Sequence, residues 1–320
     1  MPPPESSVHG TAARAPELPR RQFLRALLSG AAGLTLAWPA AGQGRGPAPI
    51  TALKLTDRLV AFSGNGGNVV MLIGSDGLLL IDGGLVGRGP DMAKAVADVS
   101  PRLVQVLFNT HYHFDHVGSN ELAGMAGARI VAHENVAARV RTTFENAAMG
   151  RTMEALQPVG YPTQTFTSGG MITFGGETLE YTHEPLAHTD GDAYVFIRSA
   201  NILHTGDLFW YGRYPVVDYS VGGSLGRMAA ALDRLERIGD ERTRLIPGHG
   251  KVDVTKADLR QARDRWLTIN RKLEDYAREG RSADEVVAAA PTKEFDAAVG
   301  VQNPEPFVRQ AFAGVLARQR

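Results

Sequence analysis

The segment Thr110-His111-Tyr112-His113-Phe114-Asp115-His116 places four groups able to ligate a metal within six residues. An extended or turning backbone separates His111 from His113 by about two residues' rise, so both imidazoles can meet one ion from the same side. Asp115 and His116 point elsewhere, which suits a second ion next to the first. Three further candidates stand singly: His188 in Ala187-His188-Thr189-Asp190-Gly191-Asp192, Asp207 in His204-Thr205-Gly206-Asp207, and His249 in Pro247-Gly248-His249-Gly250. Nearby glycine lets the backbone turn sharply toward an ion at each of them. Singly, each is an ordinary loop residue; together with the first cluster they form a ligand set.

The elements that must position these groups follow from patterning. Leu103 to Phe108 is a short apolar run rich in β-branched and aromatic residues, a buried strand that delivers the cluster at its end. Before it, Asn68–Ile73 and Leu78–Ile81 form a hairpin across Gly74-Ser75-Asp76-Gly77, ended by Asp82-Gly83-Gly84, and Asp91 to Val99 reads as a helix. After the cluster come a helix from Asn120 to Ala126 and a strand from Ala128 to Ala132; residues 134 to 157 are polar, alanine-rich and expected to be helical, as a lid or as filling. Strands are expected near 171–174, 178–182, 193–198 and 201–204, then a helix with Met228, Ala231, Leu232, Leu235 and Ile238 on one apolar face, then Arg244-Leu245-Ile246. This reading puts Asp207 just after the strand Ile202-Leu203. Two alternating halves predict an α/β sandwich of two sheets with helices outside.

The ends of the chain carry different messages. Arg20 and Arg21 lead into Phe23 and Leu24, a short, mildly apolar stretch to Ala37, and small residues at Pro39, Ala40, Ala41 and Gly42. That is the pattern of an export signal over residues 1–42, and it resembles a twin-arginine signal. Its apolar core is too short for a membrane span of about twenty residues. The expected location is the periplasm, with no stable membrane insertion after cleavage. At the other end, residues 256–320 read as a helical extension, with Leu259, Ala262, Trp266, Ile269, Leu273 and Tyr276 forming one stripe and shorter helices around 282–290 and 306–318. Composition removes several classes. With no cysteine there are no disulfides, thiolate ligands or cysteine nucleophiles, and 34 basic residues balance 34 acidic ones, which does not favour a nucleic-acid partner. A small-molecule substrate is the expected partner.

The motif His111-x-His113-x-Asp115-His116, followed by His188, Asp207 and His249, resembles the metallo-β-lactamase superfamily over about residues 50–255. The resemblance implies a four-layer αββα sandwich with the metals at one edge between the sheets. It implies that His111, His113 and His188 hold a first metal, that Asp115, His116 and His249 hold a second, and that Asp207 bridges them. Asp82 matches the family's structural aspartate, which steadies the metal loop. Nitrogen and carboxylate ligands without thiolate suit two zinc ions (two Zn2+), and iron or manganese suit the same set. Cations about 3.5–4 Å apart can share a hydroxide, so the expected reaction is metal-dependent hydrolysis at a carbonyl of an ester, thioester, lactone or amide, β-lactams included. The resemblance implies that Asp115 and Asp207 are the catalytic carboxylates. An aspartate at 207, where cysteine-ligand zinc β-lactamases carry cysteine, resembles instead glyoxalase II-like thioesterases, lactonases and RNase Z, of which RNase Z fits poorly with an export signal. The alternative activity is a mononuclear iron oxidoreductase of the persulfide dioxygenase type.

Trp210, Tyr211 and Tyr214 follow Asp207 closely. They are expected either to rim the substrate site, with Tyr211 or Tyr214 offering a hydroxyl to the oxyanion, or to pack against the C-terminal helix. His133, His183 and His204 flank strands near the site and are read as packed residues or as partners of ligands.

Overall fold

The computed structural model describes residues 48–319, so the export signal expected at 1–42 lies outside the described residues. Strands β1 (Thr51–Lys54), β2 (Leu59–Ser63), β3 (Val69–Gly74) and β4 (Gly77–Ile81) form an antiparallel run. Helix α1 (Gly89–Val99) then crosses to β5 (Val104–Phe108), and α2 (Asn120–Met125) crosses to β6 (Arg129–His133), both parallel additions. Helix α3 (Glu134–Arg139) and a small hairpin, β7 (Phe144–Asn146) with β8 (Arg151–Met153), precede β9 (Gln164–Phe166), which completes a sheet of order β1-β2-β3-β4-β5-β6-β9.

The second sheet is β10 (Gly169–Phe174), β11 (Glu177–His183), β12 (Ala193–Ile197), β13 (Ile202–Trp210) and β14 (Arg244–His249), in that order. Helix α4 (Leu225–Leu235) connects its last two strands, which are parallel. Helices α5 (Lys256–Arg278), α6 (Ala283–Ala288), α7 (Lys293–Val299) and α8 (Glu305–Ala317) close the chain.

Alternation along the strands decides what packs where. Val70, Leu79, Ile81 and Phe108 of the first sheet meet Ile172, Leu179, Val195, Ile202 and Ile246 of the second in one buried cluster between the sheets. The opposite residues of the first sheet, Met71, Leu80 and Leu107 among them, pack with Met92 and Val96 of α1. Phe196, Leu203 and Leu245 of the second sheet turn outward to α4 and to Leu259, Trp266, Ile269, Phe312 and Val315 of the C-terminal helices. The layers are therefore helix, sheet, sheet, helix, with the helical C-terminal region in the last layer. Leu259, Ala262, Trp266, Ile269 and Leu273 of the stripe on α5 are buried as their spacing predicts, with Trp266 fully enclosed, and Tyr276 is half-buried.

Three local expectations are corrected. Residues 134–157 are not a long helix: α3 ends at Arg139, and the β7–β8 hairpin follows. The β-branched pair Thr142-Thr143 and Phe144 favour extended backbone, and Gly150, at φ 60°, supplies the turn before β8. Strand β13 does not stop near residue 204 but runs to Trp210, with register shifts against β14 on both sides of Gly206. Asp207 therefore lies within an irregular strand rather than after one. Helix α7, anchored by Val299, was not anticipated from the sequence pattern.

Candidate metal centre

Strand β5 ends at Phe108, and the chain turns through Asn109 and Thr110 into the histidine cluster at the edge between the sheets. Asp82, at the end of β4, holds that turn. Its Oδ1 accepts the Thr110 amide at 2.8 Å, and its Oδ2 accepts the Thr110 hydroxyl at 2.8 Å. Asp82 adopts φ 65° while fully buried, a left-handed conformation that aspartate tolerates better than most residues.

His188 leaves the start of a tight loop in which Asp192 accepts the amides of His188 and Thr189 at 2.7 and 2.8 Å. The bulge in β13 brings Asp207 inward. Gly206 bends at φ 51°, and a side chain at Gly248 of the neighbouring strand would come within 1.9 Å of Asp207 Oδ1. His204, buried in the same strand, accepts the Gly206 amide at 3.1 Å and so shapes the bulge rather than ligating. His133 and His183 stack with ring centroids 3.7 Å apart, outside the cluster.

Two groups of ligand atoms result. His111, His113, His188 and Asp207 form one, and Asp115, His116 and His249 the other; within each, the ligating atoms lie within 4.8 Å of one another. Asp207 faces both. Its Oδ2 is 3.3 Å from His188 Nε2 and 3.3 Å from His249 Nε2, and its Oδ1 is 3.1 Å from His116 Nε2. His111 Nε2 and Asp207 Oδ1 are buried without a hydrogen bond of acceptable geometry. Buried polar atoms left so are rare and call for a partner. Imidazole and carboxylate atoms converging on them fit divalent cations, and these residues would hold them.

Each ligating imidazole of the first group, and His116 of the second, is held from behind. His116 Nδ1 lies 2.8 Å from Asp82 Oδ2, His188 Nδ1 2.9 Å from the Val216 carbonyl, and His111 Nδ1 3.1 Å from the Thr110 hydroxyl. His113 presents Nδ1, 2.9 Å from His188 Nε2, while its Nε2 lies 3.0 Å from Asp218. Asp218 was not singled out by sequence: it lies in an aromatic-rich loop with no motif around it. It also accepts from the Tyr112 and Ser220 hydroxyls, and from Asn146 at 2.7 Å. Such partners fix ring orientation and raise ligand basicity.

The electrostatics divide the histidines. Burial, reinforced for His111 by His116, holds His111 well below its ordinary value and brings His188 down to about 4, so both are neutral, the form that ligates. Burial also acts on His116 and His249, but Asp207 with Asp82 or Asp115 outweighs it, lifting His116 well above its ordinary value and His249 to about 9. Against their own burial, His116 and His249 draw Asp115 down to about 2, and Asp207 falls well below the carboxylate range. A cation bound there would take the place of the protons that these carboxylates draw onto His116 and His249.

The aromatic residues divide between the two expected roles. Trp210 lies on His249, ring centroids 4.1 Å apart. Tyr214 donates to Asp296 at 2.7 Å and stacks on Phe307 at 4.4 Å, so its hydroxyl is committed to the C-terminal helices, a correction to the rim expectation. Tyr211 is half-buried and packs with the same helical layer.

A family model described as the metallo-beta-lactamase superfamily matches residues 63–249. Among solved structures, the chain is similar to a metallo-beta-lactamase from Pontibacter korlensis, at 19% identity and TM-score 0.55, covering 68% of this chain and 99% of that one. It is similar to the stereoselective inverting sec-alkylsulfatase Pisa1 from Pseudomonas sp. at 17% identity and TM-score 0.63. That match covers 84% of this chain but 50% of the sulfatase, so the chain spans about half its length. Metallo-beta-lactamase IND-7 matches at 16% identity and TM-score 0.53, covering 68% of this chain and 98% of that one.

Proposed function

The chain belongs to the metallo-beta-lactamase superfamily, and from that premise we propose that it is an exported dinuclear zinc hydrolase of small molecules. Its substrates carry an ester, thioester, lactone or amide carbonyl, β-lactams included. The observation that supports this reading is the position of Asp207, whose oxygens lie 3.3 Å from His188 and 3.1 Å from His116, between the two ligand groups. His111, His113 and His188 would hold one cation, Asp115, His116 and His249 the other, with Asp207 shared. Such a pair, when bound, supplies Lewis acidity and a nucleophile available at neutral pH.

The chain's own residues do the rest. Asp82, Asp218 and the Val216 carbonyl keep three imidazoles in one orientation, so no reorganisation is needed during turnover. Asp115, ionised, is the hydrogen-bond acceptor that orients the attacking water. Water oxygen adds to the carbonyl carbon, the bond from that carbon to oxygen, sulfur or nitrogen breaks, and the displaced group departs with the proton. Trp210 forms an apolar wall beside His249. The assembled Asp115, His116 and His249 group can hold a second cation, which a mononuclear iron oxidoreductase does not require, and this favours the dinuclear reading. Periplasmic location rests on the leader sequence alone, and the absence of a nucleic-acid partner on the charge balance. Among the described residues no helix is long and apolar enough to cross a membrane.

The test is metal analysis of protein purified without added metal, followed by a screen of esters, thioesters, lactones and β-lactams. Sulfate esters belong in the screen because an alkylsulfatase is among the structural neighbours. The expected result is about two zinc ions per chain, with carbonyl hydrolysis abolished by chelation and restored by zinc. About one iron per chain with oxygen uptake would overturn it.

A further inference from the structure

All but one of the ligating imidazoles are oriented by a group at the ring nitrogen turned away from the cation. His249 is the exception: among the described residues none hydrogen-bonds its Nδ1, while its Nε2 faces Asp115 and Asp207. Its ring lies against Trp210, and its backbone supplies the rest of its placement. The four consecutive carbonyls from Pro247 to Gly250 are all bound, and Asn68 binds three of them. The Asn68 backbone N–H donates to the Gly248 carbonyl at 2.7 Å, and its Nδ2 donates to the Pro247 and Gly250 carbonyls at 2.8 and 3.1 Å. The Tyr211 N–H takes the fourth, that of His249, at 2.9 Å.

Asn68 is itself held. It is buried, and its Oδ1 accepts the Ser63 hydroxyl at 2.8 Å, which turns Nδ2 toward the carbonyls. It stands just before β3 of the first sheet, whereas His249 ends β14 of the second. These bonds therefore staple the two sheets at the edge where the ligands meet. The preceding residue reaches the other two ligands of the same group. The Gly67 N–H donates to the Asp115 carbonyl at 3.0 Å, and a Cβ at Gly67 would lie 2.3 Å from the His116 ring. Only glycine allows that approach. The imidazoles of the first group are oriented elsewhere, by Thr110, Asp218 and the Val216 carbonyl. The Asn68 carbonyl accepts from His204 Nε2 at 3.2 Å, a backbone contact that a side-chain substitution at 68 leaves in place.

We propose that Asn68 is the positioning residue for His249, and that its side chain preorganises the cation site of Asp115, His116 and His249 without ligating. The proposal rests on the dinuclear reading above and states how its second site is built. Two hydrogen bonds from one buried amide, on either side of His249, do for this ligand what a partner at the ring nitrogen does for the others. The competing role is general: a buried, hydrogen-bonded amide that stabilises the fold affects both cations alike.

The test compares wild type, Asn68→Ala, the milder Ser63→Ala, and Val70→Ala as a core-destabilised control that touches neither ligand group. Zinc competition with a chromophoric chelator reads the two affinities, and amide hydrogen exchange on the metal-free full chain reads the Tyr211 N–H that binds the His249 carbonyl. In Asn68→Ala the second zinc equivalent weakens by about tenfold or more while the first stays within about threefold, and the Tyr211 amide exchanges at least about tenfold faster. Ser63→Ala moves both readouts in the same direction by less, and Val70→Ala gives no selective loss. Two affinities that fall together in Asn68→Ala, a second affinity within about threefold of wild type, or the same selective loss in Val70→Ala overturns the proposal. If Asn68→Ala does not fold, Ser63→Ala decides: selective weakening of the second zinc supports the proposal, and wild-type affinities overturn it. If wild type takes up only one zinc, the dinuclear reading fails, and the Tyr211 amide still decides Asn68. Faster exchange in Asn68→Ala but not in Val70→Ala supports its hold on His249, and an unchanged rate overturns it.

Discussion

Asp218→Asn is the sharpest test of the scaffold behind the metal centre. The side chain is fully buried, and its Oδ2 receives His113 Nε2 at 3.0 Å, Asn146 at 2.7 Å and the Tyr112 hydroxyl. Asparagine keeps the volume and one oxygen but removes the charge that holds the His113 ring with Nδ1 toward the cation. Loss of such a partner weakens metal binding by about 10–100-fold, or about 1.4–2.7 kcal/mol, and the loss falls on the cation held by His111, His113 and His188. Hydrogen bonds to a charged group contribute about 1.5–3 kcal/mol each, so the fold loses a further few kcal/mol. The Asp218 carboxyl is raised by burial but brought below its ordinary value by His113, Ser220 and Tyr112. It therefore stabilises the fold above about pH 4 and progressively less as pH falls below that. The difference in unfolding free energy between wild type and variant should therefore hold steady above about pH 5 and shrink progressively as pH falls below about 4. Zinc competition with a chromophoric chelator measures the affinity, and urea unfolding across pH the stability. Affinity for both cations within about threefold of wild type would show that Asp218 does not act through His113.

Asp82→Ala strips partners from Thr110 and His116 and places alanine at φ 65°; it should cost about 3 kcal/mol or more and weaken the cation held by His116 more than its neighbour, read by thermal unfolding and zinc titration. Trp266→Ala, in the fully buried stripe of α5, should cost about 3–5 kcal/mol by cavity formation while leaving zinc stoichiometry unchanged in the folded fraction, measured by urea unfolding. Changing both Arg20 and Arg21 to lysine should retain folded protein in the cytoplasm; undiminished recovery from the periplasmic fraction would reject the twin-arginine reading.

The sequence made the centre legible because its chemistry is local. Four ligating side chains fall between His111 and His116, and the remaining ligands sit beside glycines at β-rich segments. The layered fold was legible from the same alternation that now buries Val70 between the sheets and Met71 outside them. What stayed hidden depends on distant pairing. Asp218 has no motif, and its role arises because Tyr112, His113 and Asn146 converge on it from 72 to 106 residues away. The hairpin at 144–153 was masked by alanine-rich composition: the local preference of Thr143 and Phe144 for extended backbone is weak, and the packing of Met153 with Tyr112 and Val136 that supports it lies far off in sequence. Tyr214 could have served either role in sequence, and only the position of Asp296 and Phe307 on the C-terminal helices decided it.

The central claim is that Asp207 is shared by two cations, and the most direct measurement is zinc stoichiometry and turnover on Asp207→Asn together. Asparagine keeps the size of the side chain but loses its charge and one oxygen. The group of His111, His113 and His188 keeps three imidazoles, whereas the other group keeps two and has the weaker hold once the shared charge is gone. The account predicts that the variant retains about one zinc of two and that hydrolysis of the best substrate falls by about 10²-fold or more. A folded variant that binds both zinc ions with wild-type affinity and turns over at a near-normal rate would contradict it.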